Sequence, residues 1–214
     1  MRKLFLAAAL AVLLPVAATA QANLGVKLGL AWPGGDKFRN YPMSTETGMA
    51  VPVELSLGFA LSQQLDVGVY GGYAFVQPDS TYADYCDLNG GSCDEHLWRL
   101  GVKTEYAFAG QGITPFVGAN FGFEWDVLDE SVPAAGYDFT DTLRGWELGF
   151  QVGADAWVGQ MSKVGAFVGL AFGEYTWEKI DGTYNYAPVG GSGSISDRAG
   201  HSWFTVGVRG AFGL

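Results

Sequence analysis

Ala22-Asn-Leu-Gly-Val-Lys-Leu-Gly-Leu-Ala-Trp32 is the stretch whose reading decides the fold. Leu24, Val26, Leu28, Leu30 and Trp32 fall on one face, and Asn23, Gly25, Lys27, Gly29 and Ala31 fall on the other. Successive side chains of an extended strand point to opposite faces, so this period of two belongs to a strand and not to a helix. Blocks of the same kind recur at 51–61, 65–76, 97–108, 115–125, 146–158, 164–172 and 203–212, which makes eight in all. Each is long enough to cross a bilayer when tilted.

The apolar faces read Val51, Val53, Leu55, Leu57 and Phe59 in the second block, and Val67, Val69, Tyr73 and Phe75 in the third. The fourth presents Trp98, Leu100, Val102, Tyr106 and Phe108, and the fifth Val117, Ala119, Phe121, Phe123 and Trp125. Trp146, Leu148, Phe150 and Val152 follow, and the last block gives Phe204, Val206, Val208 and Phe212. Short connections at 62–64, 109–114 and 159–163 alternate with long ones at 33–50, 77–96, 126–145 and 173–202. Short turns on one side and long loops on the other are the rhythm of an antiparallel up-and-down barrel in a membrane. With both termini on the short-turn side the strand number is even, so Asp181-Gly182 is read as a hairpin turn inside the last loop.

Aromatic residues sit at the strand ends. Trp32, Tyr73, Phe75, Trp98, Trp125, Trp146, Trp177 and Trp203 mark the long-loop side, and Phe59, Tyr106, Phe108, Phe116, Trp157 and Phe212 the other. A sandwich core would hold its aromatics mid-strand, whereas two girdles suit two membrane interfaces. The 32 glycines, 10 tyrosines, 14 phenylalanines and 7 tryptophans, with only 16% charged residues, point the same way.

Residues 1–20 combine Arg2 and Lys3, an apolar run from Leu4 to Val16 and a small-residue end at Ala18-Thr19-Ala20, which is the pattern of a cleaved signal peptide. Residues 21–214 then form one barrel domain. Cleavage removes Arg2 and Lys3 and takes the net charge from −10 to −12, which excludes nucleic acid as a partner.

The whole mature chain resembles the small eight-stranded outer-membrane barrels, and is similar to the transmembrane part of outer-membrane protein A and to the opacity-type surface proteins. Thr205-Val-Gly-Val-Arg-Gly-Ala-Phe212 is similar to the terminal-strand signal that such proteins present to the barrel-assembly machinery, with Gly210 replacing a larger apolar residue. The resemblance implies a bacterial outer membrane, with lipid and lipopolysaccharide around the barrel.

Lys27, Glu54, Asp66, Arg99, Lys103, Glu105, Glu124, Glu147, Asp155 and Arg209 share the inward parity. Unpaired charges in a narrow barrel are costly, so these ten are expected to form a network of ion pairs. Eight strands leave an interior that side chains fill, and Tyr70, Phe116, Trp157 and Phe167 are expected to narrow it further.

Cys86 and Cys93 enclose six residues in the second long loop, and in an exported protein they are expected to form a disulfide. Asp87-x-Asn89-Gly90 matches only the middle of a calcium loop, because Tyr85 and His96 stand where carboxylates are required, so the loop reads as solvated acidic surface. His201 and Ser202, as neighbours on a strand, point to opposite faces and do not make a base and nucleophile pair. His96 and His201 are both read as interfacial residues, and no cofactor or metal motif occurs. The leading expectation is a non-enzymatic surface protein with a closed, salt-bridged interior and acidic outer loops that meet an extracellular ligand. A narrow passive, porin-like channel or small-ligand transporter is the alternative, and a lipid-modifying enzyme the third reading.

Overall fold

Lys27 stands opposite Arg209 on one neighbouring strand and opposite Glu54 on the other, so charged residues far apart in the chain share one face. This register repeats around a closed circuit. The computed structural model describes residues 21–110, 112–133 and 136–214, and the signal peptide expected over 1–20 lies outside them. The strands are β1 (Ala22–Phe38), β2 (Tyr41–Pro42), β3 (Thr47–Ala60), β4 (Leu65–Pro78), β5 (Ser92–Ala107) and β6 (Ile113–Val132). They continue with β7 (Tyr137–Trp157), β8 (Ser162–Tyr184), β9 (Ala187–Ser194) and β10 (Gly200–Gly213), and one helix, α1 (Ser80–Leu88), lies between β4 and β5.

Antiparallel pairing runs β1, β3, β4, β5, β6, β7, β8, β10 and back to β1, which closes an eight-stranded up-and-down barrel. Closure leaves no strand edge exposed in the lipid-facing wall, the condition for crossing a membrane with strands. Both described chain ends lie at the short-turn end, where Leu214 N donates to Ala22 O at 2.9 Å.

The apolar parity faces outward. Leu55 is 56% exposed, Leu100 58%, Phe123 56% and Val208 59%, and these belong to a belt contributed by all eight strands of the circuit. A belt of this kind is the surface a barrel turns to hydrocarbon.

Inside, rings sit on glycines. Tyr70 pairs across the sheet with Gly101, Phe116 with Gly153 and Phe167 with Gly207. A Cβ placed on Gly101 would stand 2.7 Å from Tyr70 Cε1, one on Gly153 2.6 Å from Phe116 Cζ, and one on Gly207 2.8 Å from Phe167 Cε1. A larger residue at any of the three would collide with its ring, so these glycines are the sockets that let a narrow barrel hold aromatic side chains. Phe116 is therefore lumenal and not part of a girdle. Trp157, expected inside, is 49% exposed at the end of β7, where Lys163 Nζ sits 4.4 Å from its ring centroid.

Two expectations for the long loops are corrected. The segment 126–145 is mostly barrel wall, because β6 and β7 stay paired up to Val132 and Tyr137. The hairpin in the last loop turns at Asn185-Tyr186, both at positive φ (50° and 62°), and not at Asp181-Gly182, which pair with Gly190 and Val189. That tip is held by Tyr186 N donating to Gly136 O at 3.2 Å, which sets where the chain reverses. In the second long loop, α1 is capped by the Asp79 side chain, which accepts from Thr81 N at 2.9 Å. A disulfide joins Cys86 on α1 to Cys93 on β5, with the Cα atoms 6.1 Å apart.

Candidate functional site

The inward residues stack in three levels along the barrel. At the short-turn end Arg209 is the hub: Glu105 accepts from its Nη1 at 2.5 Å and from its Nη2 at 2.6 Å, and Asp155 accepts at 2.8 and 2.5 Å. The guanidinium lies 3.4 Å from the centroid of the Phe116 ring, which adds a cation–π contact. Beside it Lys27 reaches Glu54 and Gln151, both at 2.8 Å. Lys103 donates to Ser56 at 2.9 Å, and Asn23 donates to Asp66.

In the middle level Arg99 donates to Glu124 at 2.6 Å and stands 3.2 Å from Glu147. Its guanidinium lies 5.5 Å from the Trp203 ring. Eight of the ten residues of the expected charge network fall into separate ion-pair clusters around Arg209, Lys27 and Arg99, whereas Asp66 and Lys103 take the neutral partners Asn23 and Ser56.

The third level goes beyond what the sequence leads one to expect. His201 is buried, stacked on Tyr175 with ring centroids 4.2 Å apart, and its Nε2 is 3.0 Å from Glu124 Oε1. The Tyr175 hydroxyl also donates to that oxygen, at 2.8 Å. Neither His201 nor Trp203 is interfacial, because the parity that turns Arg209 inward on β10 turns both of them inward as well. His96 is outward, stacked against Tyr73. Above this level Lys37 Nζ is held by Glu95 at 2.8 Å, Asp126 at 3.3 Å and Glu46 at 3.5 Å, and Thr47 donates to Glu95 at 2.7 Å. Glu95 and Asp126 fall in segments whose sequence reads as loop. The signal that could have found them is continued alternation: Glu124, Asp126, Leu128 and Glu130 are all buried on β6.

A β-bulge reverses the parity on β8. Gly145 pairs with Tyr175 and Arg144 with Trp177, which leaves Thr176 as the extra residue. Tyr175 therefore points inward, while Trp177 points outward with the Arg144 guanidinium 4.4 Å from its ring centroid.

Cavities bordered by the described residues include one of about 600 Å³ at the short-turn end, one of about 70 Å³ in the middle and one of about 430 Å³ at the long-loop end. The last is a vestibule bordered by Tyr41, Tyr82, Asp126, Glu130 and Asp141. Tyr82 donates to Glu130 at 2.5 Å and Tyr41 to Glu46 at 2.7 Å. Asp141, on β7 above the apolar belt, has its carboxyl pushed up to about 6, first by burial and then by the charge of Glu178. Burial also raises Glu130, and burial with the Glu46 bond raises Tyr41 to about 12.

No protein-family model and no curated protein sequence matches the chain. Solved structures do. A major outer membrane protein of Thermus thermophilus superposes with a TM-score of 0.63 at 12% identity, over 92% of this chain and 100% of that one. Neisserial surface protein A gives 0.50 at 15% identity over 87% and 95%, and the outer membrane protease OmpT of Escherichia coli 0.52 at 6% over 91% and 97%. At such identities the likeness is one of fold. Joined to the outward apolar belt, it gives this chain the fold of the small outer-membrane β-barrels.

Proposed function

We propose that this protein is a non-enzymatic surface protein, in which a plugged barrel anchors outer loops and a vestibule that contact ligands outside the cell. The observation that carries this reading is the layer formed by Met43, Leu97, Glu124, Tyr175, His201 and Trp203, none more than 2% exposed. These side chains come from β5, β6, β8, β10 and the short 3₁₀ turn Met43–Thr45, so they meet across the lumen from different sides. A cross-section filled in this way leaves no room for a hydrated solute. The outer surface, with its vestibule and acidic loops, is then the part available for recognition.

The same burial argues against catalysis at His201. Its imidazole is enclosed by Glu124 and Tyr175, so no lipid or peptide can approach it. The protease among the structural neighbours shares the fold, and fold alone carries no activity across.

Liposome swelling tests the reading. Vesicles holding the folded protein and bathed in a pentose are expected to swell no faster than empty vesicles. Swelling that scales with protein content would favour the alternative, a narrow channel or small-ligand transporter.

A further inference from the structure

The vestibule at the long-loop end has a composition unlike the rest of the lumen. Among its described lining residues four carboxylates, Glu46, Asp126, Glu130 and Asp141, face the single ammonium of Lys37. The remaining wall is largely aromatic. Tyr41 and Tyr82 use their hydroxyls as donors to Glu46 and Glu130, which fixes the rings while leaving each acid oriented. Two oxygens in this wall, Asp126 Oδ1 and Asp141 Oδ1, are buried without a hydrogen-bond donor of their own, although the Asp126 carboxyl also meets Glu95, Lys37 and Tyr175 and the Asp141 carboxyl meets the backbone N–H of Thr142. Asp126 itself is only 1% exposed.

A buried carboxylate oxygen without a donor is costly, and the cost falls when a cation or N–H donor arrives. Aromatic faces attract the same kind of group through their quadrupoles, and favour organic cations over strongly hydrated metal ions. A volume of about 430 Å³ suits a small molecule. We propose that the vestibule binds a small organic amine, whose ammonium meets Asp126 and Asp141 while its apolar body lies among the tyrosine rings. Lys37 is the internal mimic of that ligand, an ammonium already held by Glu95, Asp126 and Glu46. This deepens the surface-binding reading and rests on it, since the vestibule must open to the outside.

The test is calorimetric titration of the full, folded barrel in detergent micelles with phenethylammonium, with phenethyl alcohol as the neutral isostere and calcium chloride as a metal arm. The amine is expected to saturate one site, and the alcohol to bind roughly three- to thirty-fold more weakly, the range a cation–π contribution supports. Asp141→Asn should weaken the amine, and Lys37→Met should tighten it, because the added ammonium replaces the one removed. If Lys37→Met fails to fold, the comparison of Asp141→Asn with wild type decides. Equal binding of amine and alcohol, binding of calcium without the amine, or an amine affinity unmoved by Asp141→Asn would each overturn the proposal. A null titration in a barrel that still excludes pentose would sink the amine site alone, whereas swelling would sink the closed-barrel reading beneath it.

Discussion

Arg99 donates to Glu124 at 2.6 Å in the middle of the barrel, and that pair holds the lower charge clusters to the buried layer above them. Glu124 is shared: it accepts from Arg99 through one oxygen and meets Tyr175 and His201 through the other. One carboxylate thus fixes side chains from β5, β8 and β10. Removing its cation leaves Glu124 and Glu147 as buried, uncompensated acids.

Arg99→Met should therefore destabilise the barrel by ~3–5 kcal/mol, the usual consequence of removing one partner from a buried ion pair. Urea unfolding in lipid vesicles, followed by tryptophan fluorescence, measures it. Arg99→Lys should lose less, since the charge remains while the forked geometry does not. Equal stability of Arg99→Met and wild type would mean that the plug is not held by charge.

The glycine sockets make a steric prediction. Gly101→Ala places a Cβ against both the Tyr70 ring and the carbonyl oxygen of Phe121, at 2.7 and 2.3 Å. Overpacking of this kind costs ~1–3 kcal/mol. The double variant Tyr70→Leu with Gly101→Ala should recover part of the loss and not all, because the carbonyl contact remains. Additive losses in that cycle would show that ring and glycine are energetically independent.

Asp141 gives the pH dependence. Its carboxyl titrates at about 6 in the folded protein against 3.8 for an ordinary aspartate. A raised acid binds its proton more tightly when folded, so its ionisation subtracts stability as pH rises from about 4 to 6. Asp141→Asn should match wild type near pH 4 and exceed it above pH 6. Denaturation midpoints across that range test the sign, and a gap that opens instead below pH 4 would contradict it.

Reduction of Cys86–Cys93 should loosen α1 without opening the barrel. The two cysteines are seven residues apart, and closing a loop that short restrains the unfolded chain by about 2.5 kcal/mol in the chain-entropy model. Limited proteolysis of reduced protein should cut within 79–91 while the far-ultraviolet β signal is unchanged. Loss of that signal on reduction would make the disulfide a support of the barrel itself.

The eight spanning strands and the inward charges on them are legible because a period of two, read from Leu24 to Trp32 and repeated, leaves only one consistent face for Lys27, Arg99 and Arg209. The outer half of the molecule is harder to read. Above the belt the outward residues cease to be apolar, so the alternation that continues through Asp126, Leu128 and Glu130 loses its contrast and resembles loop. Trp203 lies near a strand end, which suggests a girdle, yet its parity with Arg209 is the stronger signal. Thr176 cannot be foreseen, since a bulge inserts a residue and leaves no mark in the pattern on either side. The helix at 80–88 has a cap in Asp79 and a stop in Gly90, at φ 67°, but nine residues are too few for a helical period to stand out.

Single-channel recording in planar bilayers tests the closed barrel most directly. Wild-type protein, shown to be inserted by protection of its strands from protease, is predicted to give no current steps above the bare bilayer. Stable steps that change size when Arg99 or Lys103 is neutralised would contradict the account, because they would place a conducting path beside the charges said to block it.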